Sequence, residues 1–183
     1  EVGTITNINL KKEKNKIYSN GKVTSGYYVK ILKNSKLVSK SNVEGEICCK
    51  TKNVFSGYYK SGNKNKSIFK NDYFLTGDIG YLDNNKYLYV TGRKKDIIIR
   101  GGINIFPMDI EKILNKYPMI AESCVIGLDD NKLGEKVCAL ILSKNIKKIN
   151  PMKLFKYCIN NLADYQIPSI FYHVNDLPRG SLN

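Results

Sequence analysis

The hydrophobic pattern changes character after Arg93, and that change constrains the fold more than any other feature. Before it, apolar residues come in short runs rich in strand formers, separated by Gly, Asn and Asp. Tyr27–Leu32, Glu46–Cys49 and Tyr87–Val90 are such runs, the last following the turn residues Asp83-Asn84-Asn85. This half reads as a β meander or a distorted barrel segment. After Arg93, strands alternate with helices. Ile97-Ile98-Ile99 reads as a strand and Gly101-Gly102 as a turn. Pro107 suits the first turn of a helix, where its missing N–H is not needed. Ile110, Ile113, Leu114 and Tyr117 follow at helical spacing, and Pro118 stops the helix. Cys124–Ile126 and Val137–Leu142 read as buried strands. Pro151 opens a second helix with Leu154, Phe155, Cys158, Ile159 and Leu162 on one side, and Ile170–Tyr172 is a final strand. The expected class is α+β: a distorted β-barrel segment over 1–94, then a small α+β domain over 95–183. Residues 1–26 and 60–71 read as exposed loops.

Composition narrows the function. The 183 residues are 42% hydrophobic, enough for a packed core, and no apolar run reaches the length of a membrane span. Lys and Arg number 30 against 16 Asp and Glu, a net charge of +14. Only Arg93, Arg100 and Arg179 are arginines; the rest is Lys interleaved with Asn in loop-like stretches. That texture is a solvated surface rather than a nucleic-acid face, with some attraction for anionic ligands as the alternative. The five cysteines lie in apolar runs without Cys-x-x-Cys spacing, and His173 stands alone, so buried reduced thiols are expected and a zinc site is not. A reducing, intracellular compartment follows from the same reading. The chain opens at Glu1 without an initiator Met, which reads as a fragment.

Three local motifs carry chemistry, each with an ordinary alternative. Thr76-Gly77-Asp78 follows the apolar Tyr73-Phe74-Leu75. A carboxylate at a strand end suits a vicinal diol such as a ribose, and equally suits a turn closed on its own backbone. In Gly92-Arg93-Lys94-Lys95-Asp96 the guanidinium fork suits an anionic or polyhydroxylated ligand, or belongs to a surface basic cluster. Arg100-Gly101-Gly102-Ile103-Asn104 lets something approach the backbone, or is a tight hairpin.

Taken in order, these motifs form a longer pattern. It adds Gly45-Glu46-Ile47 and Ser56-Gly57-Tyr58-Tyr59 upstream. It continues through Ile105-Phe106-Pro107-Met108-Asp109-Ile110-Glu111 to Leu162-Ala163-Asp164-Tyr165-Gln166-Ile167-Pro168. The chain from about Gly21 onward resembles the adenylate-forming, AMP-binding superfamily, in its acyl-CoA synthetase branch. The Ile98–Pro107 stretch is most similar to medium-chain fatty-acid and aryl-acid CoA ligases. The resemblance implies a parent enzyme that activates a carboxylic acid, expected to be a fatty acid, with ATP to an acyl-adenylate and transfers it to CoA. An adenylation domain loading a carrier protein, or a non-catalytic nucleotide-binding module, is the alternative.

The resemblance also implies roles. Asp78 falls on the ribose hydroxyls of ATP and AMP, and Arg93 on the ribose and phosphate side. Val90 matches a position beside the adenine, or is an ordinary core residue of its strand. Lys95 matches the hinge of the small domain. Arg100, Gly101 and Gly102 match the loop on the CoA side. The partners implied are a small carboxylic acid, ATP and CoA, without nucleic acid; Mg²⁺ is implied to be bound upstream of this chain. No catalytic residue is assigned within the chain. Leu177-Pro178-Arg179-Gly180-Ser181-Leu182-Asn183 fits the pattern preceding the family's catalytic lysine, which is expected just after Asn183. The chain alone is therefore expected to be inactive.

Overall fold

The computed structural model describes residues 3–59, 67–144, 149–177 and 179. The chain divides into two compact units, Glu1–Lys94 and Lys95–Asn183.

The first unit is built from β1 (Thr6–Asn7), β2 (Lys22–Val23), β3 (Tyr27–Lys33), β4 (Lys36–Val38), β5 (Gly45–Thr51), β6 (Phe69–Lys70), β7 (Tyr73–Leu82) and β8 (Leu88–Arg93). β1 and β2 form a small antiparallel ribbon. The other six form one antiparallel sheet in the order β4-β3-β5-β7-β6, with β8 also on β7. Two hairpins turn on residue pairs with positive φ, Asn34-Ser35 and Asn71-Asp72. Asn and Asp tolerate that conformation, and such turns match the right-handed twist of their strands. Ile31, Ile47, Leu82 and Leu88 form the apolar core, with Val23, Val29, Val38 and Val90 packed against it. Phe55, Phe69 and Phe74 make a second apolar cluster, with Phe74 edge-on to both other rings and Phe55 tilted against Phe69.

The expected barrel segment is an open sheet: among the described residues β4 and β6 do not pair, and at three and two residues they are too short to carry a closing ladder. One expectation changes. The expected loop over 1–26 contains β1, β2 and a single 3₁₀ turn at Lys14–Lys16; of the loop expected over 60–71, residues 60–66 lie outside the described residues, and β6 falls in the remainder.

The second unit contains β9 (Ile98–Arg100), β10 (Ile103–Ile105), α1 (Pro107–Leu114), β11 (Ile120–Asp130), β12 (Gly134–Ser143), α2 (Pro151–Ile159) and β13 (Ile170–Val174). The sheet order is β10-β9-β12-β11, and β13 joins β12 in parallel. A parallel neighbour requires a crossover, which α2 supplies. Pro107 and Pro151 open their helices as expected. α2 is also capped by Asn150, whose side-chain oxygen accepts from Met152 N at 2.9 Å. Ile98, Ile105, Ile110, Leu114, Ile141 and Leu154 are among the fully buried residues of one continuous core.

α1 ends at Leu114, so Tyr117 lies beyond it, on a turn that donates its N–H to Leu114 O. On α2, Leu154 and Cys158 are buried, but Phe155 and Ile159 stay 39% and 50% exposed. Cys48, Cys49, Cys138 and Cys158 are buried, and all five cysteines are free thiols. Burial pushes Cys48 up to about 12, with Glu46 adding to it, and Cys49 and Cys158 to about 11. At neutral pH these thiols stay protonated and unreactive. No described helix is long and apolar enough to cross a membrane.

Candidate functional site

Asp78 is not at a strand end; it lies inside β7, at an irregularity. Along β5, Glu46 pairs with Ile79 and Cys48 with Leu75, so Thr76, Gly77 and Asp78 all face the single residue Ile47. The surplus residues bulge. Gly77 takes φ +76°, which a side chain would resist. Thr76 Oγ1 donates to Ile47 O at 2.9 Å and accepts from Asp78 N at 3.1 Å, closing the bulge. On the other edge, Gly80 pairs with Val90 and Ile79 with Gly92, leaving Thr91 as a second bulge. Its hydroxyl donates to Glu44 Oε1 at 2.7 Å. Bulges re-aim side chains and gather near functional sites.

Between these two bulges the structure brings two sequence candidates together. Asp78 and Arg93 are directly paired across β7 and β8, and Arg93 Nε donates to Asp78 Oδ1 at 2.9 Å. The carboxylate is 34% exposed and the guanidinium side chain 54%. An ion pair this open contributes at most about 1 kcal/mol to stability. It does orient both groups, and a carboxylate has more acceptor positions than one N–H uses. Val90 packs its side chain against the Ile31, Ile47, Leu82 and Leu88 cluster, which is the ordinary strand role. Its N–H donates to Asn20 Oδ1 at 2.8 Å.

Lys94 Nζ reaches Glu46 Oε2 at 2.8 Å, and the Glu46 side chain is only 8% exposed. This anchor holds the last residue of the first unit. Lys95, next in the chain, is exposed, opens the second unit and lies in the 3₁₀ turn Lys94–Asp96.

In the second unit, Gly101 and Gly102 form the two-residue turn of the β9–β10 hairpin, at φ +57° and +81°. Gly101 N donates to Leu133 O at 2.7 Å. A Cβ on Gly102 would meet nothing within 4 Å, and one on Gly101 only Leu133 Cδ2 at 3.6 Å. Arg100 Nη1 donates to Tyr165 O at 2.8 Å, tying the hairpin to the 3₁₀ turn Asp164–Gln166. Arg100, Phe155, Ile159, Asp164 and Ile167 line an open groove of about 350 Å³. Residue order does not announce this groove, because helical spacing sets Phe155 and Ile159 on one side with Leu154 and Cys158, which are buried. Glu46 stands in one of the sequence motifs without its Lys94 partner being foreseen, and Thr91 and Asn20 are not singled out by the sequence, because their partners are distant along the chain.

The terminal pattern from Leu177 lies outside the described residues except for Leu177, which is buried, and Arg179, paired with Glu122 at 2.7 Å. Among the described residues no three His, Cys, Asp or Glu side chains converge as a metal ion requires, so no step is assigned to Mg²⁺ on this chain.

Residues 109–181 match the AMP-binding enzyme C-terminal domain family. The 2-succinylbenzoate–CoA ligase of Bacillus velezensis is 40% identical over 139 residues, which is 76% of this chain and 28% of that protein. The ligase of the same name from Bacillus licheniformis is 37% identical over 168 residues, 92% of this chain and 34% of that one. The chain thus spans about a third of the length of these relatives. Among solved structures, o-succinylbenzoate CoA synthetase from Bacillus subtilis, in complex with the acyl-adenylate intermediate OSB-AMP, superposes with TM-score 0.87 at 35% identity. The match covers 98% of this chain and 36% of that one. ATP-bound MatB from Rhodopseudomonas palustris gives TM-score 0.85 at 32% identity over 90% of this chain and 33% of that one. The two ligases are named for 2-succinylbenzoate, an aryl acid. The family match, the similarity to these ligases and the placement of the motifs agree: the chain belongs to the adenylate-forming, AMP-binding superfamily, with its C-terminal domain over residues 109–181.

Proposed function

We propose that the protein carrying this chain is an ATP-dependent, AMP-forming CoA ligase for an aryl carboxylic acid of the 2-succinylbenzoate type. The observation that carries this reading is the Asp78–Arg93 pair, held between two bulges at 2.9 Å, in a chain 35% identical to a synthetase solved with its acyl-adenylate. A second structure of that synthetase is in complex with ATP and magnesium ion, which supports ATP as the nucleotide.

In this reading the acid's carboxylate attacks the α-phosphorus of ATP, forming the acyl-adenylate and releasing pyrophosphate. The CoA thiol, giving up its proton, then attacks the acyl carbonyl, forming the thioester and releasing AMP. Asp78 accepts hydrogen bonds from the ribose hydroxyls in both steps. Arg93 orients Asp78 and directs positive charge toward the ribose and phosphate. Lys95 is the hinge: the Lys94–Glu46 anchor ends the fixed part, and a short 3₁₀ turn is a place where backbone dihedrals change readily. The Gly101-Gly102 turn, open on its outer side, admits the narrow pantetheine arm of CoA beside the backbone.

The test uses the full-length protein with 2-succinylbenzoate, ATP and CoA, following pyrophosphate, AMP and thioester. Asp78→Ala is expected to raise the KM for ATP about 10- to 100-fold, since a hydrogen bond to a charged group is worth roughly 1.5–3 kcal/mol. Unchanged KM and kcat would remove the ribose assignment. Absence of turnover with every aryl acid, alongside turnover with another acid class, would remove the substrate reading.

A further inference from the structure

The Lys- and Asn-rich segment before β2 reads in the sequence as exposed loop, yet the structure lays it along β8. β7 occupies one edge of β8. On the other edge, Asn20 N donates to Leu88 O at 2.7 Å and Leu88 N donates to Gly21 O at 2.9 Å. Lys22 bridges to Tyr87. The last contact in this row is made by a side chain: Asn20 Oδ1 accepts from Val90 N at 2.8 Å. The bulge at Thr91 begins at the next residue, and beyond it Arg93 meets Asp78. Asn20 therefore clamps β8 at the point where the strand is re-aimed.

The segment is itself tied at several places. Thr6 Oγ1 donates to Asn20 O at 2.5 Å. Gly21, at φ +98°, lies against the backbone of Asn7, where a Cβ would approach within 2.6 Å. Lys16 pairs with Asp83 at 2.6 Å and sits over the Tyr87 ring, while Tyr87 OH donates to Glu13 Oε1 at 2.5 Å. Thr6 and Asn7 thus hold Asn20 and Gly21 from within the segment, while Glu13 and Lys16 tie it to the turn before β8. A passive surface loop does not need these contacts; a strand whose exact aim matters does, because misplacing a ligand group by a fraction of an ångström weakens its contacts.

We propose that residues 6–22 form a strap that presets β8 for the nucleotide, and that Asn20 is a positioning residue for the Asp78–Arg93 pair. This rests on the nucleotide role given to that pair above. Asn20 touches no reacting atom; it acts through the backbone of Val90. Without its carboxamide oxygen, β8 loses its last outer restraint before the Thr91 bulge, and Arg93 meets Asp78 in the ligand-ready arrangement for a smaller fraction of the time. The ATP contact weakens while the chemistry, once ATP is bound, is unchanged.

The experiment measures acid-dependent ATP–pyrophosphate exchange and melting temperature in the full-length protein for Asn20→Ala, Asn20→Asp, Thr6→Val and Asp78→Ala. Asn20→Ala is expected to raise the KM for ATP about three- to tenfold with kcat within about twofold, the size of one net hydrogen bond. Asn20→Asp keeps an acceptor oxygen in the same place and is expected to restore KM to within about twofold of the parent. Thr6→Val, which loosens the strap without touching β8, is expected to raise KM at least about threefold and decides the matter should Asn20→Ala not fold. An ATP KM unchanged in Asn20→Ala, or in Thr6→Val where that variant decides, while Asp78→Ala raises it, overturns the strap. So does a fall in melting temperature and kcat shared equally by the Ala and Asp variants with KM constant, the signature of a merely structural residue. If Asp78→Ala itself leaves KM unchanged, the nucleotide role of the pair fails first and the strap's role falls with it.

Discussion

The Gly101-Gly102 turn permits a separation of folding from function that few positions offer. Gly102 has φ +81°, and a Cβ there meets nothing within 4 Å. The fold therefore needs glycine for its backbone conformation and not for room. Placing alanine in the left-handed region costs about 1–2 kcal/mol. In a unit of under a hundred residues, each kcal/mol lowers the melting temperature by roughly 4–8 °C. Asparagine tolerates the left-handed region better, so Gly102→Asn is expected to lose less stability than Gly102→Ala. Both variants place a side chain on the outer face of the turn. If the pantetheine arm of CoA passes that face, both slow thioester formation at least tenfold, while pyrophosphate exchange stays within about threefold. The measurement is both half-reactions on one preparation, with thermal melting alongside. Strain alone predicts a different ranking, with Asn nearer to the parent than Ala in every assay. Thioester formation that tracks melting temperature, or equal loss in both half-reactions, would refute the CoA role of the turn.

Lys95→Pro, which fixes φ near −65°, is expected to keep pyrophosphate exchange and lose most thioester formation; equal loss in the two assays on one preparation removes the hinge. Gly80→Ala puts a Cβ into the Tyr89 carbonyl oxygen and within 3.0 Å of Ile47 Cδ1, so about 1–3 kcal/mol of destabilisation is expected by denaturant melting, with weaker ATP use as β7 and β8 part. Glu111 is held above the usual carboxylate range, first by burial and then by Asp96 and Glu122, against the lowering effect of the Val125 N–H it accepts at 2.8 Å. Its folded pKa thus exceeds its unfolded one, so the folded state binds more protons between the two values and stability falls as pH rises through that window. Glu111→Gln keeps an acceptor for Val125 N and is expected to flatten that part of the stability–pH curve, read by denaturant melts from pH 4 upward in steps of about half a unit.

Much of this molecule is legible in the order of its residues, because local chemistry is enough for those parts. Pro107 and Pro151 mark helix starts since only the first turn tolerates a missing N–H. Gly101-Gly102 marks a hairpin since two successive residues at positive φ favour glycine. The strands around Ile31, Ile47 and Val137 announce themselves through apolar and β-branched runs. The spacing of the motifs also marks the superfamily. Tertiary structure alone decided what depends on distant partners. Whether the first sheet closes depends on its two edges meeting, and β4 and β6 do not. Whether Phe155 and Ile159 are core depends on what covers α2, which helical spacing cannot report. Asp78 lies within β7 because β5 supplies one residue opposite three. Arg93 meets it because the register of β8 brings together residues 15 apart in the chain. Asn20 reaches Val90 across 70 residues of sequence, with no signal in either neighbourhood. Periodicity and turn chemistry are properties of adjacent residues; register, bulges and edge contacts are properties of pairs that only folding brings within reach.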